Sequence, residues 1–447
     1  MPAGTGPPTT LRAAVALARS ADPLGHRVHV ALAGAFAFVL PLGMVPIAKD
    51  VILIALAVYT LLRLPKIHRC FHPFWRDPLT WLILAWPAWF GLSLLWSPSP
   101  AFGVEESRVL RMLLLLPLLW PVLGHYHVII GAFVMGCGVI VLFQLGQVLG
   151  LPGFTVDIQG RADAAMQPIL AGAFLVTAAT WLLSGVLHWR GRRGAAIAAG
   201  LIVIVVGLVL TGSRGPWVSL AIAGTLLVLT TVLLVPPARR RVAALGGLAT
   251  VAVAGVVLLD IVLLSGQFTN PIRARVETAL VETDASAGDA HYEMELGGWH
   301  RTPVGYRLLV WEAATQVFRA NPIIGTGGGG LSSELDASWW LSPPEAAAAG
   351  IPVSQQHLNP HSMYLQVLAS TGVIGLLLLV IPMVMAWCRL LGRAGDPVLL
   401  GAAFVLVAWA SGAAFDGYQM MTSMMAVLML IYLAAMIARQ PTRGETT

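Results

Sequence analysis

Two kinds of side chain in this sequence are suited to chemistry on an anion. The first is a set of cations placed where long apolar runs end. Arg214 sits in Thr211-Gly-Ser-Arg-Gly-Pro, a turn of a few residues between two very apolar stretches. Arg161 sits in Gly160-Arg-Ala-Asp just ahead of another, Lys49 opens a third, and Arg307 lies on a polar segment further along. A guanidinium presents a planar fork that donates two parallel hydrogen bonds to a phosphate. Taken singly, each cation reads as an anchor whose charge snorkels to the headgroups. Taken together with Arg307, they read as one anion site, whose natural ligand is a lipid-linked phosphate or pyrophosphate.

The second is His361, in Asn359-Pro-His-Ser-Met-Tyr-Leu, where the chain returns from a polar segment into an apolar run. A helix starting near Pro360 would hold His361 in its first turn, where the helix dipole disfavours imidazolium and leaves a neutral ring able to accept a proton. The plainer reading is a polar cap. His291, His300 and His357 have weaker claims.

Three other motifs carry less. Gly325, Gly327 and Gly330 match G-x-G-x-x-G, but no βαβ pattern surrounds them and no Lys follows. They read as a flexible turn that lets backbone approach a lipid or a neighbouring helix. The acids between Glu277 and Glu295 lack the spacing of a calcium loop and read as a solvated segment. No Gly-x-Ser-x-Gly elbow is present. Cys70, Cys137 and Cys388 are isolated, which argues against a disulfide framework or a zinc site. Nothing in the sequence calls for a metal or a cofactor.

The elements that must position these residues follow from composition. Of 447 residues, 57% are apolar and 11% are charged, against about 25% charged in an average soluble domain. The mean hydropathy is +0.80. So few charges cannot cover a soluble protein of this size, which excludes a cytosolic enzyme, a disordered chain and a secreted disulfide scaffold. The expected class is an all-α polytopic membrane protein. The net charge of +6 reflects basic loops on one membrane face rather than nucleic-acid binding.

Long apolar runs predict twelve spans near 28–48, 49–64, 79–96, 109–123, 127–150, 166–188, 194–211, 215–235, 242–265, 361–387, 397–415 and 417–438. They divide the chain into a lead (1–27), nine spans within 28–265, a polar segment (266–360), three spans within 361–438 and a tail (439–447). One face collects Arg12, Arg19, Arg27, Arg63, Lys66, Arg69, Arg76, Arg190, Arg192, Arg193, Arg239, Arg240, Arg241, Arg389, Arg393, Arg439 and Arg443. Short loops on the other carry only Lys49, Arg108, Arg161 and Arg214. The basic face is expected to be cytoplasmic with both termini, and residues 1–27 read as a cytoplasmic lead rather than a cleaved signal peptide.

The polar segment 266–360 lies on the outer face and is too long to be a mere connector. Within it Leu308, Trp311, Thr315 and Phe318 form one helical stripe, and Asn321-Pro322 ends the run. That helix could lie over the mouth of the bundle with its apolar face down.

These features together resemble the O-antigen ligase and polymerase superfamily. The resemblance rests on a dozen spans, one large late outer loop, Gly212-Ser-Arg-Gly, Gly160-Arg161, the stretch from Arg307 through Trp311 and Asn321-Pro322 to Gly330, and His361-Ser-Met-Tyr-Leu followed by Gly372-Val-Ile-Gly375. Ser362 departs from the Asn that many members carry after the histidine. The resemblance implies a GT-C-like membrane glycosyltransferase, closest to the ligase branch. Such an enzyme moves polysaccharide from undecaprenyl pyrophosphate to a sugar hydroxyl of lipid A–core at the periplasmic face of the inner membrane, without a metal and with inversion. His361 would be the base. Arg161, Arg214, Arg307 and Lys49 would hold the pyrophosphate. Polymerase and O-linked oligosaccharyltransferase activities belong to the same superfamily. A transporter or flippase fits less well, because the candidate charges lie at the surface and no halves repeat.

Overall fold

The computed structural model describes residues 8, 10–156, 162–234, 303–337, 360–418 and 421–439. Among them every regular element is a helix, as expected of an all-α polytopic membrane protein. The helices are α1 (Leu11–Ala21), α2 (Pro23–Val39), α3 (Pro46–Ile67), α4 (His72–Trp75), α5 (Pro78–Ser93), α6 (Pro100–Glu106), α7 (Leu115–Leu119) and α8 (Tyr126–Val148). They continue with α9 (Pro168–His188), α10 (Gly191–Leu210), α11 (Arg214–Leu234), α12 (Pro303–Ala320), α13 (Gly330–Ala337), α14 (Met363–Leu391), α15 (Pro397–Ala413) and α16 (Thr422–Ala438). Six helical stretches among the described residues are long and apolar enough to cross a membrane, and α15 and α16 are shorter apolar helices. The span expected at 242–265 lies outside the described residues.

One expected span is built differently. Over 109–123 the chain forms 3₁₀ turns at Ser107–Leu114 and Trp120–His125 around the short α7. Pro117 and Pro121 lie in this stretch, and each removes a backbone donor that a continuous α-helix needs. The helix expected on the polar segment is present as α12, and it stops at Asn321-Pro322.

Three helices begin at Asp-Pro dipeptides. Asp22 accepts from Gly25 N–H at 3.3 Å, Asp77 from Leu79 N–H at 3.0 Å, and Asp396 from Val398 N–H at 2.9 Å. In each case Pro follows at the first helical position, where its fixed φ and missing N–H do no harm. The same carboxylates also tie helices together. Arg63 donates to Asp22 at 3.1 Å, Arg389 binds Asp77 through two bonds of 2.8 and 3.0 Å, and Tyr126 donates to Asp396 at 2.7 Å. Basic residues of this face therefore serve as ties as well as topological signals.

Arg63 is buried and anchors a larger network. Its second nitrogen donates to His29 Nδ1 at 2.8 Å and its third to the Ala18 carbonyl at 3.2 Å. Because an arginine only donates, His29 Nδ1 must accept, which leaves Nε2–H to donate to the Leu118 carbonyl at 2.7 Å. The tautomer is thus fixed by the network, and α1, α2, α3 and the 107–125 stretch are locked at one face.

Helices α9, α15 and α16 form the centre, with nearly every residue of α16 from Ser423 to Ala438 buried. Lipid is as apolar as a protein core, so close backbone packing through small residues holds such helices. A side chain at Gly401 would strike Trp181, and one at Gly172 would strike Pro216.

Helix α14 is broken at Gly372, whose φ of 69° and ψ of −171° lie outside helical values. The break receives the chain that follows α12. Thr326 N–H donates to Ala369 O at 2.9 Å, Gly327 N–H to Ser370 O at 2.8 Å, and Val373 N–H to Pro322 O at 2.9 Å. On its other side the glycine stretch meets α5 and the turns after it. Gly328 N–H donates to Ser93 Oγ at 3.0 Å, Ser97 Oγ–H to Gly328 O at 2.6 Å, and Trp96 Nε1–H to Gly325 O at 3.3 Å. Glu106 accepts from Gly329 N–H and from Gln366 Nε2, both at 3.1 Å. Instead of a flexible turn, this is a docked segment. Non-helical backbone is tolerated among membrane helices where its polar groups find partners within the protein.

Candidate active site

At the helix ends opposite the Asp-Pro face, His361 precedes α14. It does not lie in the first turn. The helix begins at Met363, Ser362 occupies the N-cap position, and His361 has a φ of 47°. A residue in the left-handed region cannot continue a right-handed helix. Ser362 holds extended backbone at the cap but makes no side-chain capping bond.

The local structure explains why His361 stays there. Trp311 of α12 donates Nε1–H to the Pro360 carbonyl at 2.6 Å, and Tyr364 of α14 donates its hydroxyl to the Ala410 carbonyl of α15 at 2.8 Å. The histidine is clamped from both sides. A left-handed non-glycine residue held this way stores about 1–3 kcal/mol, a cost that surrounding contacts must offset.

The ring of His361 faces Asp416. Its Nδ1 lies 3.6 Å from Asp416 Oδ1, and the two side chains are 33% and 5% exposed. The histidine can thus meet a substrate while the carboxylate is shielded. Asp416 occupies the turn between α15 and α16, where Gly417 N–H donates to Oδ1 at 2.8 Å. Tyr418 next to it packs edge-on against Trp409, whose Nε1–H donates to Met424 O at 3.0 Å.

The expected cations are placed as follows. Arg214 is half-buried at the first residue of α11, after a turn in which Gly212 has a φ of 59° and Ser213 N–H bonds Thr211 Oγ1 at 3.2 Å. Pro216, two residues on, lines one narrow cleft with Tyr418 and Met424. The start of α11 therefore packs against the residues that follow Asp416. Arg307 is half-buried one helical turn before Trp311, on the same face as the residue that clamps Pro360. Lys49, in the first turn of α3, donates to Ser423 Oγ at 3.4 Å at the start of α16. Arg161 lies outside the described residues. The next residue, Ala162, is fixed by Gln144 Nε2–H at 2.9 Å.

Sequence reasoning missed Asp416. A single acid in a short turn between two apolar helices matches no motif, although its isolation at the end of a span is a signal of a kind.

These features define a multi-pass membrane protein with a histidine–carboxylate pair and cations gathered at one end of the bundle. Residues 199–380 match the family model described as O-antigen ligase. That match supports membership of the O-antigen ligase and polymerase superfamily. The matched stretch contains Arg214, Arg307 and His361, whereas Lys49, Arg161 and Asp416 fall outside it. A comparison with curated proteins gives no match.

Proposed function

We propose that this protein is an O-antigen ligase acting at the periplasmic face of a bacterial inner membrane, with both termini cytoplasmic. The donor is a polysaccharide on undecaprenyl pyrophosphate and the acceptor is a sugar hydroxyl of lipid A–core. The acceptor oxygen attacks the anomeric carbon as the bond to pyrophosphate breaks, and the anomeric centre inverts. His361 Nε2 takes the hydroxyl proton, and undecaprenyl pyrophosphate leaves with the bonding electron pair. Asp416 on the Nδ1 side orients the ring and balances the charge it gains. Their separation of 3.6 Å is longer than a good hydrogen bond, and such contacts commonly tighten when substrate binds.

Arg214 and Arg307 provide fixed positive charge where negative charge grows on the leaving group, so no metal is required. The positive end of the α11 helix dipole adds to it. Arg161 and Lys49 complete the anion site in this reading. The single observation that carries it is the His361–Asp416 pair, with Arg214 and Arg307 anchored to the same end of the bundle.

The test is a lipopolysaccharide gel from the source bacterium lacking this gene, complemented with wild type or His361→Ala. The reading expects bare lipid A–core, accumulated lipid-linked polymer, and a ladder restored by wild type alone. Lipid A–core carrying a single repeat would make the protein the polymerase. An unchanged ladder would remove the lipopolysaccharide reading and direct attention to protein glycosylation or transport.

A further inference from the structure

On the face opposite His361, a cavity of about 1240 Å³ opens between α1, the start of α8, and the junction of α14 with α15. It exceeds the roughly 300–1,000 Å³ typical of small-molecule sites. Its cationic lining is Arg12, Arg19 and Arg393 with His125 and His127. Among the described residues none of the three arginines forms an ion pair, although Arg393 donates Nε–H to Ala438 O at 2.9 Å. The one acid in the lining, Asp396, is already engaged by the Tyr126 hydroxyl and by two N–H groups of α15.

Much of the rest of the lining is apolar, including Leu11, Val15, Leu399 and Ile437, with Ser20 and Tyr126 beside them. Helix α1 supplies both kinds of surface. Leu11, Ala14 and Ala18 pack inward, whereas Arg12 and Arg19 are exposed at the cavity. An amphipathic helix of this kind suits the plane of a membrane surface, at headgroup depth. A mostly unpaired set of cations above an apolar floor, at the ends of membrane helices, suits a phosphate that carries acyl chains.

We propose that this cavity binds the phosphate headgroup of an anionic phospholipid from the leaflet on that face, with Arg12 and Arg19 as its principal contacts. The ligand chemistry is a phosphate oxyanion held by guanidinium groups, and the apolar floor assigns it to a lipid rather than to soluble phosphate. The site is separate from the proposed glycan-transfer site and does not depend on that reading.

The test uses the full-length protein in detergent, with thermal unfolding followed on titration with phosphatidylglycerol, phosphatidylcholine or inorganic phosphate. Phosphatidylglycerol should raise the melting temperature of wild type, with little effect from the other two. The Arg12→Gln/Arg19→Gln double variant should bind phosphatidylglycerol about tenfold or more weakly, having lost two headgroup-level arginines. Ala16→Trp, which fills the cavity from an exposed position of α1 and keeps both arginines, should weaken binding as well and covers the case of a misfolded double variant. Equal responses of wild type and both variants would overturn the proposal. A response to inorganic phosphate as large as that to phosphatidylglycerol would overturn the lipid assignment.

Discussion

His361 Nδ1 lies 3.6 Å from Asp416 Oδ1, and the two residues reach each other from the ends of different helices, with α15 and its turn between them. Trp311 and Tyr364 fix the backbone around His361, and Trp409 and Tyr418 pack beside the Asp416 turn. An imidazole oriented with one nitrogen toward a shielded carboxylate is the arrangement a general base needs.

Asp416→Asn should lower the transfer rate by about 10²-fold or more while the protein still inserts and melts near the wild-type temperature. An amide keeps the shape but loses the charge that balances a protonated ring. Asp416→Glu should recover part of the activity. The informative measurement is kcat against KM for both variants, with the loss expected in kcat; a change confined to KM would assign Asp416 to acceptor binding.

Arg214→Lys retains a positive charge and loses the planar fork. If the guanidinium grips a pyrophosphate through paired bonds, activity should fall by about 10²-fold, the scale on which removal of one preorganised donor is felt. Activity equal to wild type in membranes with matched protein levels would assign Arg214 to headgroup anchoring.

Gly372→Ala forces a side chain into a left-handed position and against the Ile323 carbonyl. The conformational part alone should cost about 1–2 kcal/mol, and the clash should displace the glycine segment from α14. Lower thermal stability together with new proteolysis between Asn321 and Gly330 is the expected result. Gly392→Ala, near the end of the same helix at an ordinary φ and without a close contact, serves as the matched control.

Asp22 supplies a pH dependence. Burial raises its pKa, but hydrogen bonds from Arg63 and Gly25 and the charges of Lys66 and Arg63 outweigh it, so the folded carboxyl titrates below its ordinary value. Asp22 therefore contributes stability that is present above the usual carboxylate range and is lost as pH falls through the lower folded value. Thermal melts should show Asp22→Asn less stable than wild type at neutral pH, with the difference closing in strong acid. Arg63→Ala, which strips the buried partner from Asp22 and His29, should cost about 3 kcal/mol at neutral pH.

Much of the fold was legible because the bilayer imposes length and apolarity on each span, and because Asn321-Pro322 is a strong stop after an amphipathic stripe. The ties across the molecule were not. Arg63 meets Asp22 across 41 residues, and Arg389 meets Asp77 across 312. No local pattern encodes such pairs, so these arginines read only as markers of one face. The break at Gly372 was hidden for a related reason: apolar residues continue through it, and hydropathy does not register φ. His361 was visible as a lone histidine at the mouth of a span, yet its backbone conformation and its partner depend on tertiary contacts from Trp311 and Asp416.

The glycine segment of residues 325–330 is bonded to Ser93, Ser97, Trp96 and Glu106, all far upstream of the stretch matched by the family model. That stretch is thus no excisable module. A fragment spanning 199–380 would carry His361 but leave backbone donors and acceptors of its central loop without their partners. The same contacts give assembly an order. The N-terminal third of the chain and helix α14, which flank the loop in sequence, must both be in place before it can dock.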